Sequence, residues 1–238
     1  MKRLFAAFHF LTIIPLGKSI IYEPKGMIPY FPIVGLVIGG LLSIFDQVAL
    51  IFWPVQTTAI LDVILLAVIT GALHIDGLGD TADGLLGHRS REKALAIMKD
   101  SRIGVMGLVA IIAALAVKWA GIMHLSHHRM LLLMLVPAYS RSTLIFGIRF
   151  LDYGRPEGGT GYDFFGEDIK LSAFQWMLVP IIVSLFLGWK GIFLNIIFLL
   201  IIAFIILYYK KRMGCITGDM LGAMAEVTES LLFLFVSI

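Results

Sequence analysis

The chain has 238 residues, 59% of them hydrophobic, a formal net charge of +3 and a mean hydropathy of +0.95. Soluble globular domains are about 45–50% apolar, so this composition excludes an ordinary soluble fold. The basic residues are spread over many loops instead of gathered on one face, which excludes a nucleic-acid surface, and a single cysteine, Cys215, excludes an internal disulfide.

Lys2 and Arg3 open a short amphipathic segment whose Phe5, Phe8 and Phe10 suit a retained interfacial or re-entrant element. A signal peptide is the alternative, but no small-residue cleavage site follows. Pro24, Pro29 and Pro32 separate this segment from the first long apolar run. Apolar runs near 31–53, 57–76, 103–123, 130–150, 171–187, 191–209 and 220–238 approach or reach the length needed to cross roughly 30 Å of hydrocarbon. The fifth is the shortest and is interrupted by Pro180. The fold class expected is all-α: a polytopic integral membrane protein of about seven transmembrane helices, with short cytoplasmic interfacial helices and a single domain over residues 1–238.

Charge decides the orientation expected. With the N-terminus inside, the loops spanning 2–25, 89–102, 149–170 and 210–212 hold fifteen lysines and arginines. Only Arg129 and Lys190 fall outside, and Lys118 and Arg141 lie within spans. Such a positive-inside bias predicts a multi-pass protein of the cell (inner) membrane with its N-terminus and functional face in the cytoplasm.

Between the second and third runs lies Thr70-Gly-Ala-Leu-His-Ile-Asp-Gly-Leu-Gly-Asp-Thr-Ala-Asp-Gly84. On a helix, Asp76, Asp80 and Asp83 fall within a wedge of roughly 60°. Carboxylates so crowded repel one another, and a hard divalent cation with oxygen ligands is the simplest compensation. His74, one turn earlier, reads as a packing residue. After Gly84 the chain leaves the bilayer; Ser90 is a helix N-cap candidate, and Ala94, Leu95, Ile97 and Met98 form an apolar stripe.

Arg155-Pro-Glu-Gly-Gly-Thr-Gly161 combines a planar donor fork with glycines that let backbone approach a ligand. The last run carries Asp219, Glu226 and Glu229 within a wedge of roughly 80°. Acids inside a membrane span by default mark function; their alternative is pairing with Lys118, Arg141 or a serine. Carboxylates ringed by Arg89, Arg91, Lys99 and Arg102 suit a pyrophosphate substrate, with Mg2+ bridging acids and phosphate.

The aspartate spacing is reminiscent of membrane CDP-alcohol phosphotransferases, whose longer pattern the chain does not reproduce. A closer match exists. His74-Ile-Asp-Gly-Leu-Gly-Asp-Thr-Ala-Asp-Gly84 followed by Ala96-Ile-Met-Lys-Asp-Ser-Arg-Ile-Gly104 resembles the signature of the cobalamin synthase, or adenosylcobinamide-GDP ribazoletransferase, family. So do Phe10-Leu-Thr-Ile-Ile-Pro15, Tyr30-Phe-Pro-Ile-Val-Gly35, Glu157-Gly-Gly-Thr-Gly161 and Ile216-Thr-Gly-Asp-Met-Leu-Gly222, in the right order from end to end. Ile13-Ile14 departs from the polar or basic residue expected in many members.

The resemblance implies that α-ribazole, or its 5′-phosphate, attacks adenosylcobinamide-GDP in the presence of Mg2+ and releases GMP. It points to Asp76, Asp80 and Asp83 as magnesium ligands or, for one of them, general base. Lys99, Arg102 and Arg155 become phosphate contacts. Asp100, Glu157, Gly158, Gly159, Asp219, Glu226 and Glu229 complete the substrate-binding set. The partners expected are the two substrates and the bilayer, with apolar helix surface open equally to lipid or to a second protomer. The competing reading is a cation- or proton-coupled transporter, which also uses intramembrane acids.

Overall fold

The structure, a computed structural model, describes residues 2–15, 23–87, 89–100, 102–155, 158–159, 161–166 and 169–238. Lys18, Ser101, Thr160 and the substrate-contact candidate Glu157 lie outside the described residues.

The helices are α1 (Lys2–Leu11), α2 (Pro24–Met27), α3 (Phe31–Phe52), α4 (Val55–Ile69), α5 (Leu73–Leu85), α6 (Arg91–Ile97), α7 (Val105–Met123), α8 (Arg129–Phe150), α9 (Leu178–Ser184), α10 (Trp189–Arg212) and α11 (Gly218–Val236). No strand occurs among the described residues; Tyr153 and Ile216 form an isolated parallel bridge. The all-α membrane reading therefore stands.

By length and apolarity four helices can cross a membrane: Pro24–Phe52, Val105–Met123, Arg129–Phe150 and Trp189–Arg212. The pair Val55–Ile69 and Leu73–Leu85 makes a fifth if counted as one span, but it is bent by 89°. The expected run 57–76 is broken because Gly71 and Ala72 both adopt positive φ, 58° and 56°. Glycine takes that conformation without penalty, stopping α4 and letting the chain turn before α5. The run 171–187 is a short α-helix between two 3-10 stretches; Pro180 has no N–H to bond back one turn earlier. The run 220–238 is helical, but α11 carries three acids along 19 residues and lies inside the bundle against α5, α7, α8 and α10 instead of facing lipid.

Two further contacts set the frame. Gly35 and Gly39, one turn apart on α3, lie against the α8 backbone at Pro137 and Met134, so no Cβ fits there; small residues at this spacing are how membrane helices approach closely. At the opposite end from α5, Arg129 bonds both carboxylate oxygens of Asp46 at 3.0 Å and Asp62 at 3.5 Å. All three are buried. The sequence reading had placed Arg129 in an external loop and singled out neither acid.

The loops between helices α5 and α6, α8 and α9, and α10 and α11 gather at one end. Arg212 donates to the carbonyls of Gly87 and Arg89 at 2.7 and 3.0 Å. The Gly154 amide donates to the Ile216 carbonyl at 2.8 Å. The basic loops and the aspartate helix thus occupy the same end of the molecule.

Candidate active site

The site forms where α5 crosses the start of α11. A Cβ on Gly77 would stand 2.7 Å from the Asp219 carbonyl oxygen, and one on Gly222 would stand 3.2 Å from the His74 Cα. Two bare backbones in contact bring Asp76 and Asp80 beside Asp219, close enough for each charge to act on the others. Asp76 and Asp219 line one cavity of about 300 Å³, with Phe10, Phe31 and Phe164 also in its wall.

Arg155 donates to the Asp219 carboxylate at 2.6 Å, with both side chains 18% exposed. By sequence Arg155 is a phosphate contact and Asp219 a separate member of the substrate-binding set; the fold makes them a pair. Thr217 caps α11 by accepting from the Met220 amide at 3.2 Å. Gly158 and Gly159 have φ of +102° and +141°, which favour glycine. A Cβ on Gly159 would fall 2.7 Å from the Tyr153 hydroxyl, and one on Gly161 would fall 3.2 Å from its ring. The glycine loop therefore folds over Tyr153 towards the N-terminus of α11. Burial raises the Tyr153 phenol above its ordinary pKa, so it remains a neutral donor.

Asp83 has different partners from Asp76 and Asp80. Its two oxygens accept from the Gly104 and Gly107 amides at 2.6 and 2.9 Å, satisfying free donors at the start of α7. Arg102, two residues before Gly104, bonds Asp100 at 2.6 Å. That guanidinium holds the exposed Asp100 carboxyl down at about pH 2. Lys99 is exposed on the same segment. Ser90 caps α6 as expected, accepting from Lys93 N at 3.4 Å.

A family profile described as cobalamin-5-phosphate synthase matches residues 3–237. The chain belongs to that family. Among similar proteins, an adenosylcobinamide-GDP ribazoletransferase of Alkaliphilus metalliredigens is 35% identical, covering 99% of this chain and 95% of its own. Proteins with the same name from Clostridium novyi, at 34% identity, and Thermoanaerobacter sp., at 33%, cover 98% and 100% of this chain and 96% and 98% of their own. No solved structure matches. Membership makes the chain a transferase of cobalamin synthesis; the transporter reading is not favoured.

Within this family member, Glu226 and Glu229 do not line the cavity with Asp76. Lys118 of α7 donates to both, at 2.7 Å each, and Arg141 of α8 pairs with Glu229. All four are buried. The expected substrate contacts are thus engaged in an ion cluster that ties α7, α8 and α11 together. The physical reason is that neither sign could be left unpaired in an apolar interior. His74, set aside above as a packing residue, does line the cavity, and its Nδ1 has no hydrogen-bond partner among the described residues.

Among the described residues, no three His, Cys, Asp or Glu side chains converge to hold a metal unaided. The donor chemistry nevertheless fits Mg2+, a hard cation commonly held by one or two carboxylates with substrate phosphate oxygens and water supplying the rest. Asp76, Asp80 and Asp219 offer only carboxylate oxygens, beside the Arg155 fork.

Proposed function

We propose that the chain transfers the adenosylcobinamide-phosphate group of adenosylcobinamide-GDP to a ribose hydroxyl of α-ribazole, or of its 5′-phosphate. The observation that carries this reading is the crossing of α5 and α11, which sets Asp76 and Asp219 in one cavity with Arg155 against Asp219. The relatives' name supplies the reaction class.

In the reaction, the ribazole hydroxyl oxygen bonds to the cobinamide-side phosphorus, and the bond between that same phosphorus and the bridging oxygen breaks. GMP leaves with that bridging oxygen, and the hydroxyl proton passes to a carboxylate. Asp76 and Asp80 would hold Mg2+, with Asp219 completing the set; the ion's contribution is to neutralise phosphate charge. Arg155 orients the diphosphate through its fork. The glycine loop, bent over Tyr153, supplies backbone N–H groups near the α11 N-terminus, a favourable place for an anion. The phenylalanines in the cavity wall would limit water, which would otherwise compete with the ribazole hydroxyl. The work left to the protein is positioning and charge balance.

The loop-bearing end is read as cytoplasmic, in keeping with the distribution of basic residues and the location of nucleotides. Purified protein given adenosylcobinamide-GDP and α-ribazole should release GMP in proportion to the corrinoid product, and only with a divalent ion present. GMP release that does not depend on α-ribazole would refute transfer.

A further inference from the structure

Beside the acidic cavity lies a larger one, of about 950 Å³, between the C-terminal end of α8 and residues 162–166 with Ile169. Arg149, Asp152, Tyr153, Tyr162, Asp163 and Phe165 are among its lining. Its volume sits within the range of small-molecule sites, about 300–1,000 Å³. Tyr153 packs at 4.9 Å from Phe165 and 5.8 Å from Tyr162, centroid to centroid, which makes an aromatic wall. Tyr162 is 48% exposed, leaving ring surface for a planar ligand. Asp163 lies near enough to Tyr153 for its charge to act on the phenol.

The wall between the two cavities is thin. Ile148 lines both. Tyr153 lines the larger one and touches Gly161, which lines the smaller. Arg155, two residues beyond Tyr153, holds Asp219. A diphosphate seated at Arg155 would therefore direct its nucleoside towards the aromatic wall.

We infer that this larger cavity is the guanosine subsite, with guanine stacked on the tyrosine wall and Asp163 reading its base edge. The inference rests on the transfer reaction proposed above. Guanine presents two donors side by side, N1–H and the exocyclic amine, which a carboxylate fork accepts together. Adenine presents an acceptor at N1, which a carboxylate repels. The benzimidazole of α-ribazole has no ring N–H to offer, so an acid at this edge selects the purine over the other substrate. Lys25 and Arg149 line this cavity as well, so the diphosphate is assigned to Arg155 by its place beside the acidic cavity and the base to the aromatic wall.

Equilibrium binding of GMP and XMP to the full-length purified protein tests this without catalysis. Xanthine keeps N1–H but shows an oxygen where guanine has its amine, so an amide side chain suits it better than a carboxylate does. Wild type should prefer GMP by about tenfold or more, the scale of one hydrogen bond to a charged group. Asp163→Asn should lose about tenfold in GMP affinity and gain for XMP, and that gain shows the variant to be folded. An unchanged GMP-to-XMP ratio in Asp163→Asn overturns the inference, as does an inversion produced by Asp152→Asn instead. The stack is checked separately: Tyr162→Ala should weaken GMP about tenfold while Tyr162→Phe binds as wild type, on the scale of base–aromatic stacking. Equal binding by both tyrosine variants also overturns it. Wild type that turns over yet shows no preference for GMP defeats the subsite and leaves the transfer reading standing; wild type that binds GMP yet transfers nothing defeats the transfer reading.

Discussion

Gly77 lies against the backbone of Asp219, where an added Cβ would stand 2.7 Å from the carbonyl oxygen. That contact joins the aspartate helix to the acidic start of α11, and the candidate site exists only because nothing larger occupies the position. Gly77→Ala should force the two backbones apart while leaving the hydrophobic core intact. The expected result is a protein that purifies normally but has kcat reduced at least tenfold. Gly40→Ala, where a Cβ meets nothing within 4 Å, should be active.

The three aspartates should separate in mutagenesis. Asp76→Asn and Asp80→Asn should each abolish GMP release, because they remove charge from the shared cavity end. Asp83 accepts the Gly104 and Gly107 amides, one on each oxygen, and asparagine keeps one of those two acceptors, so part of the tie to α7 survives. Asp83→Asn should therefore retain measurable transfer, whereas Asp83→Ala should lower stability by about 0.5–2 kcal/mol. Complete inactivation of Asp83→Asn with unchanged thermal stability would give Asp83 a chemical role instead.

The buried ion cluster makes a stability prediction. Lys118→Met leaves Glu226 without its 2.7 Å partner in an apolar interior, a loss on the order of 3–5 kcal/mol. Thermal unfolding in detergent should show it. The double variant Lys118→Met/Glu226→Gln should recover part of the loss, because no carboxylate is then stranded at that position. Additive effects of the two changes would contradict the pairing.

Topology can be read chemically. In a Cys215→Ser background, single cysteines at Arg91, Gly159 and Lys211 should all behave alike towards an impermeant thiol reagent in intact cells. The structure gathers their loops at one end; on the proposed cytoplasmic orientation of that end, all three should resist labelling. A cysteine at His127, at the far end, should label. Protection at positions 91 and 211 combined with rapid labelling at Gly159 would break the arrangement.

Much of this protein was legible in its residues. Apolar content fixed the membrane class, and the His74–Gly84 and Ala96–Gly104 segments fixed the family, because motif order survives whatever the helices do in space. The Ser90 cap and the pairing alternative for Lys118 and Arg141 were also readable, since each follows from a local rule: a hydroxyl satisfies a free amide, and a buried charge needs its opposite. What could not be read was which acid meets which partner. Helical periodicity puts Asp76, Asp80 and Asp83 on one face, but only the fold brings the α7 amides to Asp83 and the α11 carboxylate to Asp76. Likewise Glu226 and Glu229 share a face with Asp219, yet their neighbours on α7 and α8 turn the lower acids into structural ties. The break at Gly71 and Ala72 was hidden for the same reason. Hydropathy measures transfer into hydrocarbon and is blind to the backbone angle that swings α5 across α11, and it is this crossing that assembles the site.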